Sequence, residues 1–173
     1  ANYQRNKAWT WEHQAWVRAR VISESKALET QFNTVRREIL GRQRDLTQLK
    51  QDSKTMRAKK LAQVEKTPPD QFNLKYDIGG IETIEFIVQY LTLRYGSQYP
   101  SLYEYTDNIR ILEAVAKEKL LSEKEAEFLS KVYRTYRRVV HHASLHKTSM
   151  RVSVDMFMME REFVEKLWQQ LLS

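Results

Sequence analysis

Apolar side chains recur every three or four residues along most of this chain, which is the spacing of amphipathic helices. One such stripe consists of Ile81, Ile84, Val88 and Leu91, within a predicted helix from about Ile81 to Tyr95. Only three prolines and four glycines interrupt the 173 residues, which leaves little turn chemistry for strands. Similar patterns predict helices over approximately Lys7 to Val21, Ser25 to Leu40, Asp45 to Val64, Thr106 or Asp107 to Leu120, Ser122 to Leu145, and Ser153 or Asp155 to Leu172. The sequence therefore predicts an all-α fold, a compact bundle of about seven helices.

Residues 65–80 form a predicted linker and loop between the third and fourth helices. Pro68 and Pro69 cannot both continue a helix, so they direct the chain into an extended path. Gly79 and Gly80 then precede the fourth helix, where the backbone can bend freely or approach another group closely. The start of a helix exposes N–H groups that favour anions, and Lys75 lies four residues before this glycine pair. The loop is therefore a candidate phosphate contact, although it lacks the Gly-x-x-x-x-Gly-Lys-Ser/Thr sequence of a P-loop.

Length and composition limit the classes of protein to which the chain can belong. We expect residues 1–173 to form a single helical domain, and because the chain starts at Ala1 rather than at Met, we expect it to be a fragment of a larger chain. The absence of cysteine excludes disulfides and thiolate zinc sites and suits a cytoplasmic protein. No apolar run approaches the roughly 20 residues that span a bilayer, so we expect no membrane association.

The charge balance raises the question of an acidic partner. There are 29 Lys and Arg against 22 Asp and Glu, a formal net charge of +7, and the basic excess is concentrated between Arg36 and Lys66. Charges distributed around a helix usually form a solvated surface, and no recognised nucleic-acid module accompanies them. The sequence therefore favours a solvated face over a nucleic-acid partner.

Several specific blocks resemble one family. In chain order they are Ala8-Trp9-Thr10-Trp11-Glu12-His13-Gln14-Ala15, Arg18-Ala19-Arg20, Arg36-Arg37-Glu38-Ile39, Leu74-Lys75, Gly79-Gly80-Ile81, Ile84-Glu85-Phe86 and Thr106-Asp107-Asn108-Ile109-Arg110-Ile111-Leu112-Glu113. Together they resemble the bacterial glutamine synthetase adenylyltransferases, in particular the C-terminal helical domain that follows the adenylyl-transferring catalytic domain of the bifunctional adenylyltransferase/adenylyl-removing enzyme. The chain departs from the family pattern at Asn73, which replaces an acid, and at Thr83, where the family usually carries Asp.

The resemblance implies a function in nitrogen metabolism. The whole enzyme would use ATP and Mg²⁺ to transfer AMP to a tyrosine of glutamine synthetase, under regulation by the PII signalling protein. The family's metal-binding carboxylates follow a Gly-Ser as Asp-x-Asp, but no Asp-x-Asp occurs here and no paired acids follow Gly96-Ser97. We therefore expect no catalytic residue and no metal ligand in this chain, no cofactor bound by it alone, and no activity without an upstream catalytic domain.

The resemblance also selects candidate site residues. Those expected to face a nucleotide or the catalytic cleft are Lys75, Gly79, Gly80, Glu82 and Glu85, with Arg18 and Arg20 as weaker candidates; those expected at a domain interface are Trp9, Trp11 and Trp16. In an alternative account the glycines only end a loop, Lys75 extends into solvent, and Glu85 interacts with a helix dipole. His142 and His146 lie four apart but lack an evident third ligand, which favours a structural role.

Two other classes of function stay open at this point. A non-catalytic helical interaction scaffold would explain the helices without chemistry. A basic nucleic-acid-binding helical module would explain the segment from Arg36 to Lys66, and its binding would weaken steeply with salt.

Overall fold

The structure is a computed structural model and describes residues 2–22 and 24–173. Within these residues the chain forms α1 Asn2–Asn6, α2 Thr10–Arg18, α3 Lys26–Leu40, α4 Leu46–Gln63, β1 Gln71–Asn73, α5 Ile81–Tyr95, α6 Asn108–Lys117, α7 Glu123–Leu145, β2 Arg151–Ser153 and α8 Met158–Leu172, with a 3₁₀-helix at Pro100–Tyr103. The prediction of a helical fold is confirmed. The sheet is a two-stranded addition to it, and α1 is a helix that the sequence did not predict.

Helix boundaries follow local capping chemistry. The helix predicted from Lys7 begins only at Thr10, because Trp9 is extended and its N–H donates to Oε2 of Glu12 at 2.8 Å. Asp107 caps α6 as predicted, accepting from the N–H of Arg110 at 3.0 Å. The same helix ends before Leu120 because Lys119 takes a left-handed conformation with φ of 56°.

The last helix begins later than predicted. Ser153 and Asp155 were the expected start, but Ser153 belongs to β2 and the helix starts only at Met158. Phe157, directly before it, has a left-handed backbone with φ of 60°, which sets the change in chain direction. The expectation of a start at Ser153 or Asp155 was therefore wrong, because strand pairing takes precedence there over the local capping signal.

The two strands pair across a long stretch of sequence. They are antiparallel, with Gln71 opposite Ser153, Phe72 opposite Val152 and Asn73 opposite Arg151. The N–H of Leu74 donates to the carbonyl of Met150 at 3.2 Å, beyond the end of the ladder. The pairing fixes the start of the segment that leads to Gly79 and Gly80.

The described residues divide into two units by their internal packing. Unit 1 comprises Ala1–Ser53 and Val88–Glu123, and unit 2 comprises Lys54–Ile87 and Lys124–Ser173. Buried side chains in unit 1 include Val17, Ile39, Leu40, Leu49, Leu91, Leu102, Ile111, Leu112 and Val115. Those in unit 2 include Phe72, Leu74, Ile84, Ile87, Leu129, Val132, Tyr136, Val164, Leu167 and Trp168. The predicted stripe of Ile81, Ile84, Val88 and Leu91 is buried, as its spacing indicated.

Aromatic side chains organise the core of unit 2. Tyr136 contacts Phe72 edge to face at a centroid distance of 6.1 Å and Phe157 at 5.3 Å. Phe72 is the central residue of β1, so these contacts attach the strand to α7 and to the start of α8.

Candidate functional site

The loop between β1 and α5 is closed by its own polar side chains. Oδ1 of Asn73 accepts from the N–H groups of Lys75 at 3.0 Å and Tyr76 at 3.3 Å, which is an Asx turn. Asp77 accepts from the N–H of Asn73 at 2.7 Å and from the hydroxyl of Thr67 at 2.8 Å. Asn73 therefore supplies the oxygen acceptor that a carboxylate would supply at this position, so its departure from the family pattern leaves the turn intact.

Both glycines are required by close backbone contacts. Gly79 has φ of 86°, and a Cβ atom there would lie 2.8 Å from the carbonyl oxygen of Arg161. A Cβ atom on Gly80 would lie 2.7 Å from the carbonyl oxygen of Leu74. Any larger residue at either position would collide with backbone atoms, so the loop depends on glycine at both.

The N–H groups at the start of α5 are used inside the loop. Gly80 donates to the carbonyl of Asp77 at 2.9 Å, Ile81 to that of Leu74 at 2.8 Å, and Glu82 to that of Lys75 at 3.0 Å. These three donors, which the sequence suggested for a phosphate, are engaged by loop carbonyls rather than open to an anion. Their effect is to hold the backbone of Lys75 directly against the first turn of the helix.

Three of the charged side chains predicted for the cleft, Lys75, Glu82 and Glu85, lie in unit 2, and each has a partner there. Nζ of Lys75 lies 4.7 Å from the centroid of the Tyr76 ring. Glu82 forms an ion pair with Lys60 at 3.2 Å, and Glu85 accepts from the hydroxyl of Tyr133 at 3.2 Å. Lys75, Glu82 and Glu85 are all partly exposed, so their role in a cleft stays a prediction.

Thr83 lies at the centre of a buried network that sequence reasoning missed. Its Oγ1 accepts from the N–H of Gly79 at 3.2 Å and from Nη2 of Arg57 at 3.3 Å. The same Nη2 donates to Glu165 at 2.6 Å, and the guanidinium of Arg57 lies 4.6 Å from the centroid of the Trp168 ring. Arg57 thus obtains from α8 the carboxylate that an Asp at position 83 would otherwise offer. No local signal links Arg57 to Glu165, which lie 108 residues apart.

An open pocket adjoins this loop within unit 2. Its volume is about 490 Å³. Apolar and aromatic side chains form much of its wall, together with a few polar groups, and those that line it include Leu61, Val64, Pro68, Pro69, Tyr76, Asp77, Ile78 and Arg161. The loop therefore has both a fixed backbone and a concave surface beside it.

Arg18 and Arg20 belong to a different pocket, in unit 1. This pocket has a volume of about 410 Å³ and is lined by Arg18, Arg20, Thr106, Asp107 and Arg110. Nε of Arg110 lies 2.5 Å from Oδ2 of Asp107, and partial burial of that carboxyl is outweighed by the hydrogen bonds and charge of Arg110, which lower its pKa. In the sequence, Arg110 stands out only as part of the Thr106 to Glu113 block, and the structure places it with the other two arginines.

Unit 1 also contains a cluster of polar side chains around the buried ring of His13. Nδ1 of His13 contacts Nη1 of Arg44 at 3.0 Å, and Nε2 contacts the carbonyl of Gln4 at 2.9 Å. Because guanidinium can only donate, Nδ1 is the acceptor and the neutral ring donates from Nε2 to Gln4. Burial lowers the pKa of His13, although the hydrogen bond to Gln4 opposes the shift, and burial with the charge of Arg42 lowers the pKa of Arg44 to about 10.

The three tryptophans predicted for an interface differ in exposure. The side chains of Trp9 and Trp11 are 70% and 51% exposed. Trp16 instead stacks on Phe32 at a centroid distance of 5.0 Å and donates from its indole N–H to Gln4 at 3.1 Å. Trp9 and Trp11 are thus presented on the surface, while Trp16 is engaged within unit 1.

Two further sequence expectations concern metal and membrane. The rings of His142 and His146 lie 4.3 Å apart, and across the part of the chain that the structure describes, no three His, Asp or Glu side chains converge to hold a metal ion. No helix in residues 2–22 and 24–173 combines the length and apolar character needed to cross a bilayer.

Comparison with protein families gives two matches. Residues 47–164 match the model of the family described as GlnD PII-uridylyltransferase, and residues 1–35 match the one described as glutamate-ammonia ligase adenylyltransferase. Glutamate-ammonia ligase is another name for glutamine synthetase, so the second match agrees with the resemblance carried by the Trp9 to Ala15 block. The first match covers more than half of the chain and includes the whole glycine loop. The chain therefore belongs to the GlnD PII-uridylyltransferase family of helical domains and, with its opening segment, is a helical domain of the glutamate-ammonia ligase adenylyltransferase type.

Proposed function

We propose that this chain is the helical accessory domain of a glutamine synthetase adenylyltransferase and completes the cleft of a catalytic domain that precedes it. The observation that carries this proposal is the pair of family matches, which together span residues 1–35 and 47–164. In the whole enzyme, AMP passes from ATP to a tyrosine of glutamine synthetase in the cytoplasm, and PII regulates the transfer to adjust nitrogen assimilation.

In this proposal, the chain places charged side chains at the catalytic cleft. The loop holds Lys75 beside the first turn of α5, where its ammonium would contact a nucleotide phosphate, while Glu82 and Glu85 would orient basic groups across the cleft. The hydrogen bonds of the Lys75 backbone to Glu82 and Asn73 support this role, because a segment that is ordered before binding loses less entropy on binding. Mg²⁺ would neutralise the phosphate oxygens when bound, and its ligands would come from the preceding catalytic domain.

The longer family match raises a second transfer reaction. Proteins in that family are named for uridylyl transfer to PII, which would use UTP in place of ATP. The match of residues 1–35 to the adenylyltransferase model favours ATP for this chain. The two reactions differ in nucleotide and acceptor, so a single set of assays separates them.

The experiment compares this chain alone with the same chain extended upstream through its catalytic domain. Transfer of label from ATP to glutamine synthetase, and from UTP to PII, is measured with magnesium present. We expect transfer of AMP by the extended form only. Transfer by the chain alone would contradict the assignment of catalysis to the preceding domain, and transfer of UMP to PII would replace the adenylyl reaction with the uridylyl one.

The cleft role is tested with variants of the extended enzyme at Lys75 in the loop and at Glu85 on α5. Lys75→Ala and Glu85→Ala are compared with Lys131→Ala, which removes an exposed charge on α7. We expect Lys75→Ala and Glu85→Ala each to lose at least about tenfold in kcat/KM while the enzyme stays folded, and the control to retain activity. Normal transfer by both Lys75→Ala and Glu85→Ala would favour a non-catalytic scaffold over a cleft-forming domain.

A further inference from the structure

Three guanidinium groups line one pocket in unit 1, and local geometry explains why two of them share it. Arg18 is the last residue of α2 and Ala19 is extended, with φ of −69° and ψ of 136°. Alternate residues of an extended segment lie on the same side, so Arg18 and Arg20 can both face the pocket. Arg110 enters from the first turn of α6, next to the capping residue Asp107.

A buried arginine joins the two segments that carry these residues. Arg36 on α3 is only 4% exposed, and its guanidinium donates to four backbone carbonyls. It donates to Trp16 at 2.9 Å and to Val17 at 2.8 Å, immediately before Arg18. It also donates to Tyr103 and, at 3.0 Å, to Tyr105, immediately before Thr106. Arg36 is therefore a positioning residue that holds both walls of the pocket.

The net positive charge of this pocket favours an anionic ligand. Three guanidiniums face one carboxylate, so the lining side chains carry two net positive charges, and the positive end of the α6 dipole adds to them. Arg36 contributes a further buried charge, and the carbonyls to which it donates are neutral. Planar guanidinium groups pair with phosphate through two parallel hydrogen bonds, a geometry that a single ammonium group does not offer.

We propose that the pocket formed by Arg18, Arg20 and Arg110 binds the phosphoryl group of a small phosphate-bearing molecule. The hydroxyl of Thr106 supplies a neutral donor beside the three cations. Asp107 caps α6 and pairs with Arg110, so its carboxylate opposes the anion and limits the affinity. Arg18 and Arg20 were also weaker candidates for the catalytic cleft, but phosphate could bind this pocket without the proposed transfer reaction, because every group involved belongs to unit 1 of this chain.

The test is calorimetric titration of the 173-residue chain with inorganic phosphate, pyrophosphate and ATP. We expect saturable binding of pyrophosphate or ATP, and an R18Q/R20Q variant that binds at least about tenfold more weakly. The matched control is R137Q/R138Q, which removes the same charge from exposed positions on α7 and should change the affinity less than about twofold. Tighter binding of ATP than of pyrophosphate would identify a nucleotide, and equal binding would identify free polyphosphate.

A second variant tests the sign of the effect. Asp107→Asn removes the opposing charge while asparagine keeps the helix cap, so we expect tighter binding of pyrophosphate by several-fold. The loss of the exposed ion pair with Arg110 should lower the free energy of unfolding by at most about 1 kcal/mol. Equal losses in R18Q/R20Q and R137Q/R138Q would attribute binding to the net charge of the chain and overturn the proposal. So would weaker binding by Asp107→Asn, or no saturable binding up to about 10 mM.

Discussion

Replacing Thr83 by valine removes one hydroxyl from the buried network while keeping the shape of the side chain. Two donors lose their acceptor, the N–H of Gly79 at 3.2 Å and Nη2 of Arg57 at 3.3 Å. Arg57 keeps Glu165 at 2.6 Å, whereas within residues 2–22 and 24–173 the buried N–H of Gly79 has no second acceptor. An unpaired buried donor costs about 1–3 kcal/mol, and because both bonds are longer than the usual 2.9–3.0 Å, we expect Thr83→Val to lower the free energy of unfolding by about 2 kcal/mol.

The same helix offers a matched control. Thr92 is fully buried in α5, but its hydroxyl donates at 2.9 Å to the carbonyl of Val88, which also accepts within the helix. Thr92→Val should therefore change the free energy of unfolding by less than about 0.5 kcal/mol. Urea unfolding measures both variants, and amide hydrogen exchange measures the Gly79 N–H, which should exchange about 30-fold faster in Thr83→Val. Equal losses in the two variants, or an unchanged exchange rate at Gly79, would refute the reasoning.

Three further predictions use other parts of the chain. Gly79→Ala should lower the free energy of unfolding, measured by urea unfolding, by about 3 kcal/mol, because it places a Cβ atom at a positive φ and 2.8 Å from the carbonyl oxygen of Arg161. A loss under about 1 kcal/mol would show that the loop relaxes. The pKa of His13 is lower in the folded state than in the unfolded state, so the unfolded state binds more protons. The contribution of His13 to stability should therefore be complete above the unfolded pKa of about 6.5, and the free energy of unfolding should decline by at most about 1.4 kcal/mol per pH unit below it. NMR titration should place the His13 pKa below 6.5, and a higher value would contradict the neutral ring that accepts from Arg44. Trp9→Ser should change the unfolding free energy of this chain by less than about 0.5 kcal/mol, because the side chain is mostly exposed, and a larger loss by urea unfolding would show that Trp9 packs within unit 1.

Periodicity was sufficient to predict the helices and part of the core. The stripe of Ile81, Ile84, Val88 and Leu91 is buried, and Asp107 caps its helix as the local pattern indicated. Both signals depend on residues within one or two turns of each other, which is the range over which a helix forms its own hydrogen bonds. The capping signal at Ser153 failed because a strand partner more than 70 residues away competed for the same backbone.

The candidate sites were only partly accessible from the sequence. The blocks that resemble the family identified Lys75, Gly79 and Gly80 as a unit, but the loop carbonyls that occupy the helix-start N–H groups became visible only in three dimensions. Arg18 and Arg20 were recognised as a pair, since their spacing is local. Their association with Arg110 depends on Arg36, whose carbonyl partners come from two distant segments.

The sequence by itself determined the helical class, the glycine requirement before α5 and the kinship with adenylyltransferases, because each is written in short-range patterns. Tertiary structure alone decided that Glu165 supplies the carboxylate for Arg57, that β1 pairs with β2, and that three arginines share a pocket. Those arrangements join residues tens to more than a hundred positions apart. Hydrogen bonds and ion pairs act over a few ångströms in space regardless of separation along the chain, so only the folded backbone could bring these partners together.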